Sequence, residues 1–348
     1  MTTCPLGHLT TNKNQMHKKI YYLTGGLALL AVFFVSVYAI VEIRSQDKEY
    51  NGLFSRHMKV FAPEVPASAD FSGEAAPMGL CYVKEAFDRE IMASTFMHSS
   101  TIMMFKRAYR WFPVIEPILK QNGIPDDFKF VVLAESNLIN VVSPAGAEGY
   151  WQFIKATGIK YGLEINEKVD ERYNMEKATK AACDYFRDAY KDFNSWTLVA
   201  ASYNRGIDGL GKALQYQKVS NYYDLYLNDE TSRYIFRIMA IKEVYNHPVK
   251  YGFYLRERDF YPQIACTPVV IDSSIRNLPS FAKHLSINYR ILRELNPWIR
   301  NYSLPNKTRK SYTFLVPKEG ALNSDILMKK VPIRETFFHD TLKINEVH

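Results

Sequence analysis

From Lys84 to Tyr245 apolar residues recur at three- and four-residue spacing between polar ones, and strand-like alternation is scarce. The stretch STIMMFKRAYRWFPVIEPILKQNG closes on Gly123, and PDDFKFVVLAES opens on Pro125 followed by acids suited to a helix start. NMEKATKAACDYFRDAYKDF offers Asn174 as N-cap, then Ala178, Ala182, Tyr185, Phe186, Ala189 and Phe193 at helical spacing. SWTLVAASYNRG repeats the logic, with Ser195 as cap and Gly206 as stop, and ETSRYIFRIMAIKEVYNHP ends at Pro248. These signals predict a mainly α domain over residues 81–260. Beyond Tyr251 the apolar pieces shorten to TPVVID, LPSFAKHLSINYRILRELNP and SYTFLVP, an order that fits strand, helix, helix, strand within residues 266–318. Residues 319–348 have no clear periodicity and read as a tail.

Upstream, the uncharged run IYYLTGGLALLAVFFVSVYAIV, residues 20–41, is long enough as a helix to cross about 30 Å of hydrocarbon. Lys13, His17, Lys18 and Lys19 precede it, whereas Glu42, Arg44, Asp47, Lys48 and Glu49 follow. The positive-inside rule therefore keeps residues 1–19 cytoplasmic and exports everything after Val41. A cleavable signal is the rival reading, since Val37-Tyr38-Ala39 would suit a peptidase, but the run exceeds the roughly 7 to 15 residues of a signal core. The adopted expectation is a single-pass transmembrane anchor. Residues 42–80 include APEVPASADFSGEAAPMG, a Pro-, Ala-, Gly- and Ser-rich stretch expected to be a flexible linker without a core.

Composition narrows the choice of partner. The 348 residues, 47% hydrophobic, can bury one substantial core and carry a second small unit. A formal charge of +8 suits nucleic acid, acidic lipid or an acidic wall polymer, but no Lys/Arg run resembles a nucleic-acid arm, so nucleic acid is not expected. Cys4, Cys81, Cys183 and Cys266 form no CxxC pair and no His/Cys cluster with zinc spacing, which indicates neither a metal site nor a disulfide framework.

Candidate chemistry sits at FKFVVLAESNLINVVSPAGAEGYWQF, residues 128–153. Phe130 to Ala134 are all apolar, so the helix is buried on most sides and Glu135 falls at its C-terminal end, near the negative pole. Desolvation and the dipole both disfavour a carboxylate there and raise its pKa toward the operating pH, as a general acid requires. The plainer reading makes Glu135 a solvated residue on a frayed last turn. SPAGAEGYWQF adds a turn where backbone approaches a ligand closely, followed by the amide of Gln152; its plainer role is a tight connection with core Trp151 and Phe153. Tyr203 and Asn204 in ASYNRG, and Glu230 and Tyr234 at i, i+4 in ETSRY, are by themselves packing and capping residues.

In this order and spacing the motifs resemble the transglycosylase SLT domain, from WFPVIEPILKQNGIPDDFKFVVLAESNL through SPAGAEGYWQFIKATGIKYGL, VDERYNMEKATKAACDYF and WTLVAASYNRG to ETSRYIFRIMA, about half of the chain. The resemblance implies a lysozyme-like helical fold and cleavage of the β-1,4 bond between N-acetylmuramic acid and N-acetylglucosamine in peptidoglycan, without water, to leave a 1,6-anhydro end. It implies Glu135 as catalytic acid and base, Ser136 as the residue that hydrogen-bonds and orients it, and Gly149, Gln152, Tyr203 and Asn204 as the lining of the sugar cleft. Glu230 and Tyr234 would stand on the helix that helps close the site. No metal or cofactor is implied, and the anchor would lie in a bacterial cell membrane with the catalytic domain outside the cytoplasm. Tyr150, Lys155 and Ser202 depart from the family's frequent Leu, Pro and Ala and bear on subsite preference. SFAKHLSINYRILRELNPWIRNYSLPNKTRKSYTFLVP resembles a LysM module, a small peptidoglycan-binding βααβ domain, with DSSIRN in place of the usual Gly-Asp-Thr opening; a structural cap on the catalytic domain is the alternative. Two other activities stay open: a hydrolytic muramidase, for which Glu148 is a candidate second carboxylate, and a non-catalytic peptidoglycan-binding scaffold. A helical receptor or assembly protein ranks after them.

Overall fold

The computed structural model describes residues 10–57 and 60–328; Cys4 and most of the tail, residues 329–348, lie outside them. Residues 1–62 and 63–348 form two separate units. In the first, helix α1 (Thr10–His57) contains Tyr21–Glu42, 22 residues with a mean hydropathy of 2.2 and none of it buried against protein, long and apolar enough to cross a membrane.

The second unit opens with the hairpin β1 (Asp70–Phe71) and β2 (Glu74–Ala75). Then come α2 (Cys81–Phe96), α3 (His98–Gln121), α4 (Lys129–Ser136), the short ribbon β3 (Val141–Val142) and β4 (Glu148–Gly149), and α5 (Lys155–Lys160). Four helices follow: α6 (Met175–Phe193), α7 (Trp196–Arg205), α8 (Ile207–Gln217) and α9 (Asp229–Asn246). The last part is β5 (Cys266–Ile271), α10 (Leu278–His284), α11 (Tyr289–Leu295) and β6 (Tyr312–Pro317), with β5 antiparallel to β6. The unit is thus mainly helical with a terminal βααβ module.

Local chemistry explains the boundaries. Asn174 accepts the amide of Lys177 at 3.1 Å and Ser195 Oγ that of Leu198 at 3.3 Å, so both expected caps satisfy orphan donors at the starts of α6 and α7. Gly206, at φ +84°, stops α7. The short α4 buries Phe130, Val131, Val132 and Leu133, and it packs against α9 and α3. Phe128 beneath it meets Phe71, Phe186 and Trp196 with ring centroids 4.4–5.4 Å apart.

The stretch expected to be a coreless linker departs from that reading. Residues 42–57 continue α1, and the Pro-rich part from residue 63 is folded onto the helical domain, with Phe71 fully buried. Glu74 completes the N-terminus of α7: its carboxylate accepts Ser195 Oγ at 2.7 Å and the amides of Trp196 and Thr197 at 2.5 and 2.9 Å. Composition missed this because one phenylalanine and one acceptor suffice to hold the segment. In the stretch read as a tail, Ala321 is buried before the short helix Ser324–Met328.

The terminal module is not free-standing. Its core of Leu278, Leu292, Trp298, Ile299, Leu304 and Phe314 takes in Val169 and Tyr173 from the helical domain. Asp170 N donates to Trp298 O and Arg300 N to Lys168 O, each at 2.8 Å, and the Arg300 guanidinium lies 4.0 Å from the centre of the Tyr173 ring. Glu164 accepts Lys310 Nζ at 2.5 Å and Tyr312 Oη at 3.1 Å.

Burial pushes the Glu74 carboxyl up, but hydrogen bonds from Thr197, Ser195 and Trp196 outweigh it and hold the pKa below its ordinary 4.5. A depressed carboxyl stabilises the fold above the unfolded pKa and loses that contribution as pH falls through the folded one. Glu74→Ala should therefore cost about 1–2 kcal/mol in urea denaturation near neutral pH, with a smaller difference in acid. Equal midpoints at neutral pH would remove the capping role.

Candidate active site

Helices α4, α7 and α9 meet at Glu135. It is the penultimate residue of α4, half-buried, and accepts a short hydrogen bond on Oε1 from the hydroxyl of Tyr234 in α9. Immediately after it the chain reverses through Asn137 and Leu138, both left-handed at φ +50° and +58°. Asn137 Nδ2 donates to Ser100 at 3.1 Å, and Arg107 Nη1 donates to the Asn137 carbonyl at 3.2 Å, which ties this strained corner to α3.

The electrostatics follow from the packing. Desolvation is the largest influence on Glu135 and raises its pKa to about 7; the Tyr234 hydroxyl and the Arg237 charge oppose the rise, and the Glu230 charge adds to it. Residue 135 keeps an accessible edge although protein surrounds most of the carboxyl. Burial, then the Glu135 charge, pushes the Tyr203 and Tyr234 phenols well above their ordinary values, so both are neutral donors.

The remaining expected site residues join the same network, though not always as expected. Tyr203 Oη donates to Trp151 O at 2.7 Å. Asn204 Nδ2 donates to Glu230 Oε1 at 3.1 Å, and its carbonyl accepts Thr231 Oγ1 at 2.8 Å. Ser136 departs from the expectation that it hydrogen-bonds Glu135: its buried hydroxyl donates to Tyr150 O at 2.6 Å and so fixes the turn opposite α4. Gln152, left-handed at φ +52°, gives its amide nitrogen to Gly149 O at 2.7 Å and Val141 O at 3.0 Å. That nitrogen braces the turn and is not directed at a ligand. Gly149 is required by space: at φ +82° a Cβ would lie 2.1 Å from the Arg172 carbonyl oxygen.

Glu148, the candidate second carboxylate, is already paired. Its carboxylate lies 3.0 Å from Arg172 Nη2 and accepts Tyr173 Oη at 2.8 Å. Arg172, with 4% of its side chain exposed, also bonds Asp170 at 2.7 Å and donates to Phe153 O at 3.1 Å. The carboxylate that acts on Glu135 is instead Glu230, exposed at the start of α9. Sequence reasoning missed Thr231, Arg237 and Arg172. Arg237 was within reach of it, being three residues after Tyr234 and seven after Glu230 on one helix face. Arg172 had no comparable signal, because apart from Asp170 its partners, Glu148 and Phe153, come from the turn about twenty residues earlier in the chain. Among the described residues no group of three His, Cys, Asp or Glu side chains could hold a metal ion.

Residues 112–225, which hold this constellation as far as Tyr203 and Asn204, match the model of the transglycosylase SLT domain. The chain carries an SLT domain. Residues 267–320 match the C-terminal LysM-like domain of soluble lytic transglycosylases, which agrees with the observed βααβ module. Over 198 residues the chain is 26% identical to membrane-bound lytic murein transglycosylase D of Escherichia coli K12, and equally to that of Escherichia coli O6:H1. The alignment takes in 54% of this chain and 43% of each relative, so the chain spans less than half the length of the relatives it matches. The SLT match stops before α9, so Glu230, Tyr234 and Arg237 lie beyond the matched residues.

Two outcomes follow. Replacing Arg172 with Met leaves Asp170 buried and unpaired and should destabilise the chain by about 3 kcal/mol in urea unfolding, with part recovered by a second Asp170→Asn change. No recovery would mean the pair acts only by filling space. Glu135, with its pKa raised from 4.5 to about 7, binds more protons folded than unfolded over that interval, so stability falls as pH rises through it. Tyr203, Tyr234, Arg237 and Glu230 are the groups that face it. Glu135→Gln should therefore raise the melting temperature more at about pH 8 than at about pH 5, and an equal shift at both would contradict a neutral carboxyl.

Proposed function

We propose that the chain is a peptidoglycan lytic transglycosylase with Glu135 as both acid and base. The observation that carries this reading is the Glu135 carboxyl, half-buried, bonded by Tyr234 and raised to about 7. Such a group is protonated in a large fraction of molecules near neutral pH and can give up its proton without a large penalty. In the proposed reaction Glu135 protonates the glycosidic oxygen and the bond to C1 of N-acetylmuramic acid breaks. The developing positive charge is met by the sugar's own N-acetyl group and by cleft dipoles. The C6 hydroxyl then attacks C1 and returns its proton to Glu135, which closes the 1,6-anhydro ring and restores the acid. Tyr203, Asn204, Glu230 and the Gly149–Gln152 turn line the proposed cleft, and Tyr234 holds the carboxyl in place.

The cellular setting belongs to the same proposal. Tyr21–Glu42 would anchor the chain in a bacterial membrane, with the Lys-rich side in the cytoplasm and the SLT domain exported to the wall. The LysM-like module would contribute to holding glycan strands.

Glu230 supports one competing reading. It is a second carboxylate whose charge reaches Glu135, and a hydrolytic muramidase uses a second carboxylate either as a base that activates water or as a nucleophile. Detergent-solubilised chain incubated with purified sacculi, followed by mass spectrometry of the released muropeptides, separates the two. Anhydro products, lighter by one water, are expected, and Glu135→Gln should reduce their release by about 100-fold or more. Reducing-end products would transfer the assignment to hydrolysis with Glu230, and no release at all would leave a binding scaffold.

A further inference from the structure

Helix α9 brings charge to two separate carboxyl groups. Toward Glu135 it offers Glu230, Tyr234 and Arg237. Arg233 and Arg237, one turn apart, also meet a carboxylate that the proposed mechanism leaves unused: Glu90 of α2, with 2% of its side chain exposed. Arg233 Nε donates to Glu90 Oε1 at 2.6 Å, Arg237 Nε lies 3.8 Å from Glu90 Oε2, and Arg89 on the same helix donates to Oε1 at 3.3 Å. Arg237 therefore belongs to both clusters.

A buried carboxylate needs a cationic partner, and Arg233 meets that need with a direct ion pair. Fixing α2 on α9 requires nothing more. Arg237 stands differently: it lies at the outer limit of pairing with Glu90, a third of its side chain is exposed, and its charge acts on both Glu135 and Tyr234. Two carboxyl groups thus compete for one guanidinium, and among the described residues Glu90 is the one that forms an ion pair with it. An arginine side chain is long, and its planar fork closes on a carboxylate with two parallel hydrogen bonds wherever it can reach one. Loss of Glu90 would release Arg237 toward Glu135, and such a pair would hold Glu135 in its ionised form.

We propose that Glu90 is a positioning residue for the candidate acid: it holds Arg237 on α2 and so prevents that guanidinium from closing into an ion pair with Glu135. The role of Glu135 as the acid rests on the transglycosylase reading; the restraint on Arg237 does not. Glu135 is faced by Tyr203 from α7 and by Glu230, Tyr234 and Arg237 from α9, with Arg107 of α3 bonded to the Asn137 carbonyl beside it. Glu90 is faced by Arg89 from its own helix, Arg233 and Arg237 from α9, and Tyr222 from the segment before α9. Among the described residues Arg237 is the group common to both sets, so Glu90 acts on Glu135 through it.

Two measurements on the solubilised full chain test this. The first needs no substrate: the gain in melting temperature from Glu135→Gln, larger at about pH 8 than at about pH 5 in the parent, should lose roughly half or more of that pH dependence in a Glu90→Gln background. Arg237→Gln should increase the pH dependence, and adding it to Glu90→Gln should restore what was lost. The second is the pH profile of anhydromuropeptide release from sacculi, whose alkaline limb should move about one pH unit down with Glu90→Gln and up with Arg237→Gln. Glu90→Asp keeps the charge buried beside Arg233 but draws back from Arg237, so it should shift both readouts in the direction of Glu90→Gln by a smaller amount, and it serves where Glu90→Gln does not fold. Unchanged pH dependence in the Glu90 variants, or a shift in the same direction for Glu90→Gln and Arg237→Gln, would overturn the proposal and leave Glu90 as a tie between α2 and α9. The expected thermal pattern without any anhydro product would remove the transglycosylase reading and leave the restraint on Arg237 standing.

Discussion

A carboxyl group that stays protonated near neutral pH must be shielded from water and yet reach a ligand, and the helical domain is arranged around that conflict. The donor from Tyr234 and the charge of Arg237 both favour the ionised form of Glu135, so desolvation has to exceed them to leave the pKa near 7. The sequence supplies the desolvation by placing Glu135 after four buried apolar residues on a helix only two turns long, enclosed by α3 and α9. The strained corner at Asn137 and Leu138 keeps that helix from continuing, so the carboxyl stands at an accessible edge and not in a closed core.

The rigidity of the opposite wall comes from Arg172. One buried guanidinium bonds Asp170, Glu148 and the Phe153 carbonyl, while its own backbone oxygen fills the space that only a glycine at 149 leaves open. Asp170 and Tyr173 on either side of it are also where the terminal module attaches, through Trp298 and Arg300. The turn that carries Gln152 is therefore connected through one side chain to the module at the far end of the chain. A βααβ unit packed this way supports the site structurally, whatever it binds.

Much of this architecture was legible in the sequence because it is local. Asn174 and Ser195 cap helices by contacts three residues away, Gly206 stops one by its own φ, and the strand, helix, helix, strand order follows from three short apolar pieces. The desolvation of Glu135 was legible for the same reason, since the apolar residues adjoin it in the chain. What could not be read is long-range. Glu74 caps a helix more than a hundred residues away, in a segment whose composition suggested a spacer, and Ser136 turns from its neighbour toward the Tyr150 carbonyl. The motif named the residues at the site, but the direction of each hydrogen bond depended on partners the motif does not contain.

The carboxylates around the site sort by what already holds them. Glu148, nearest in sequence to the motif, is committed to Arg172 and Tyr173; releasing it to act as a base would leave a buried cation short of a partner, which makes it the costliest of the acids to recruit. Glu230 is exposed and, among the described residues, is held by the amide of Asn204, so water can screen it and a ligand can displace that bond at small cost. Its charge is the smallest of the influences on Glu135, behind desolvation, the tyrosine and the arginine. The acid is therefore set by burial and not by a neighbouring anion, the pattern that the proposed one-carboxyl mechanism requires.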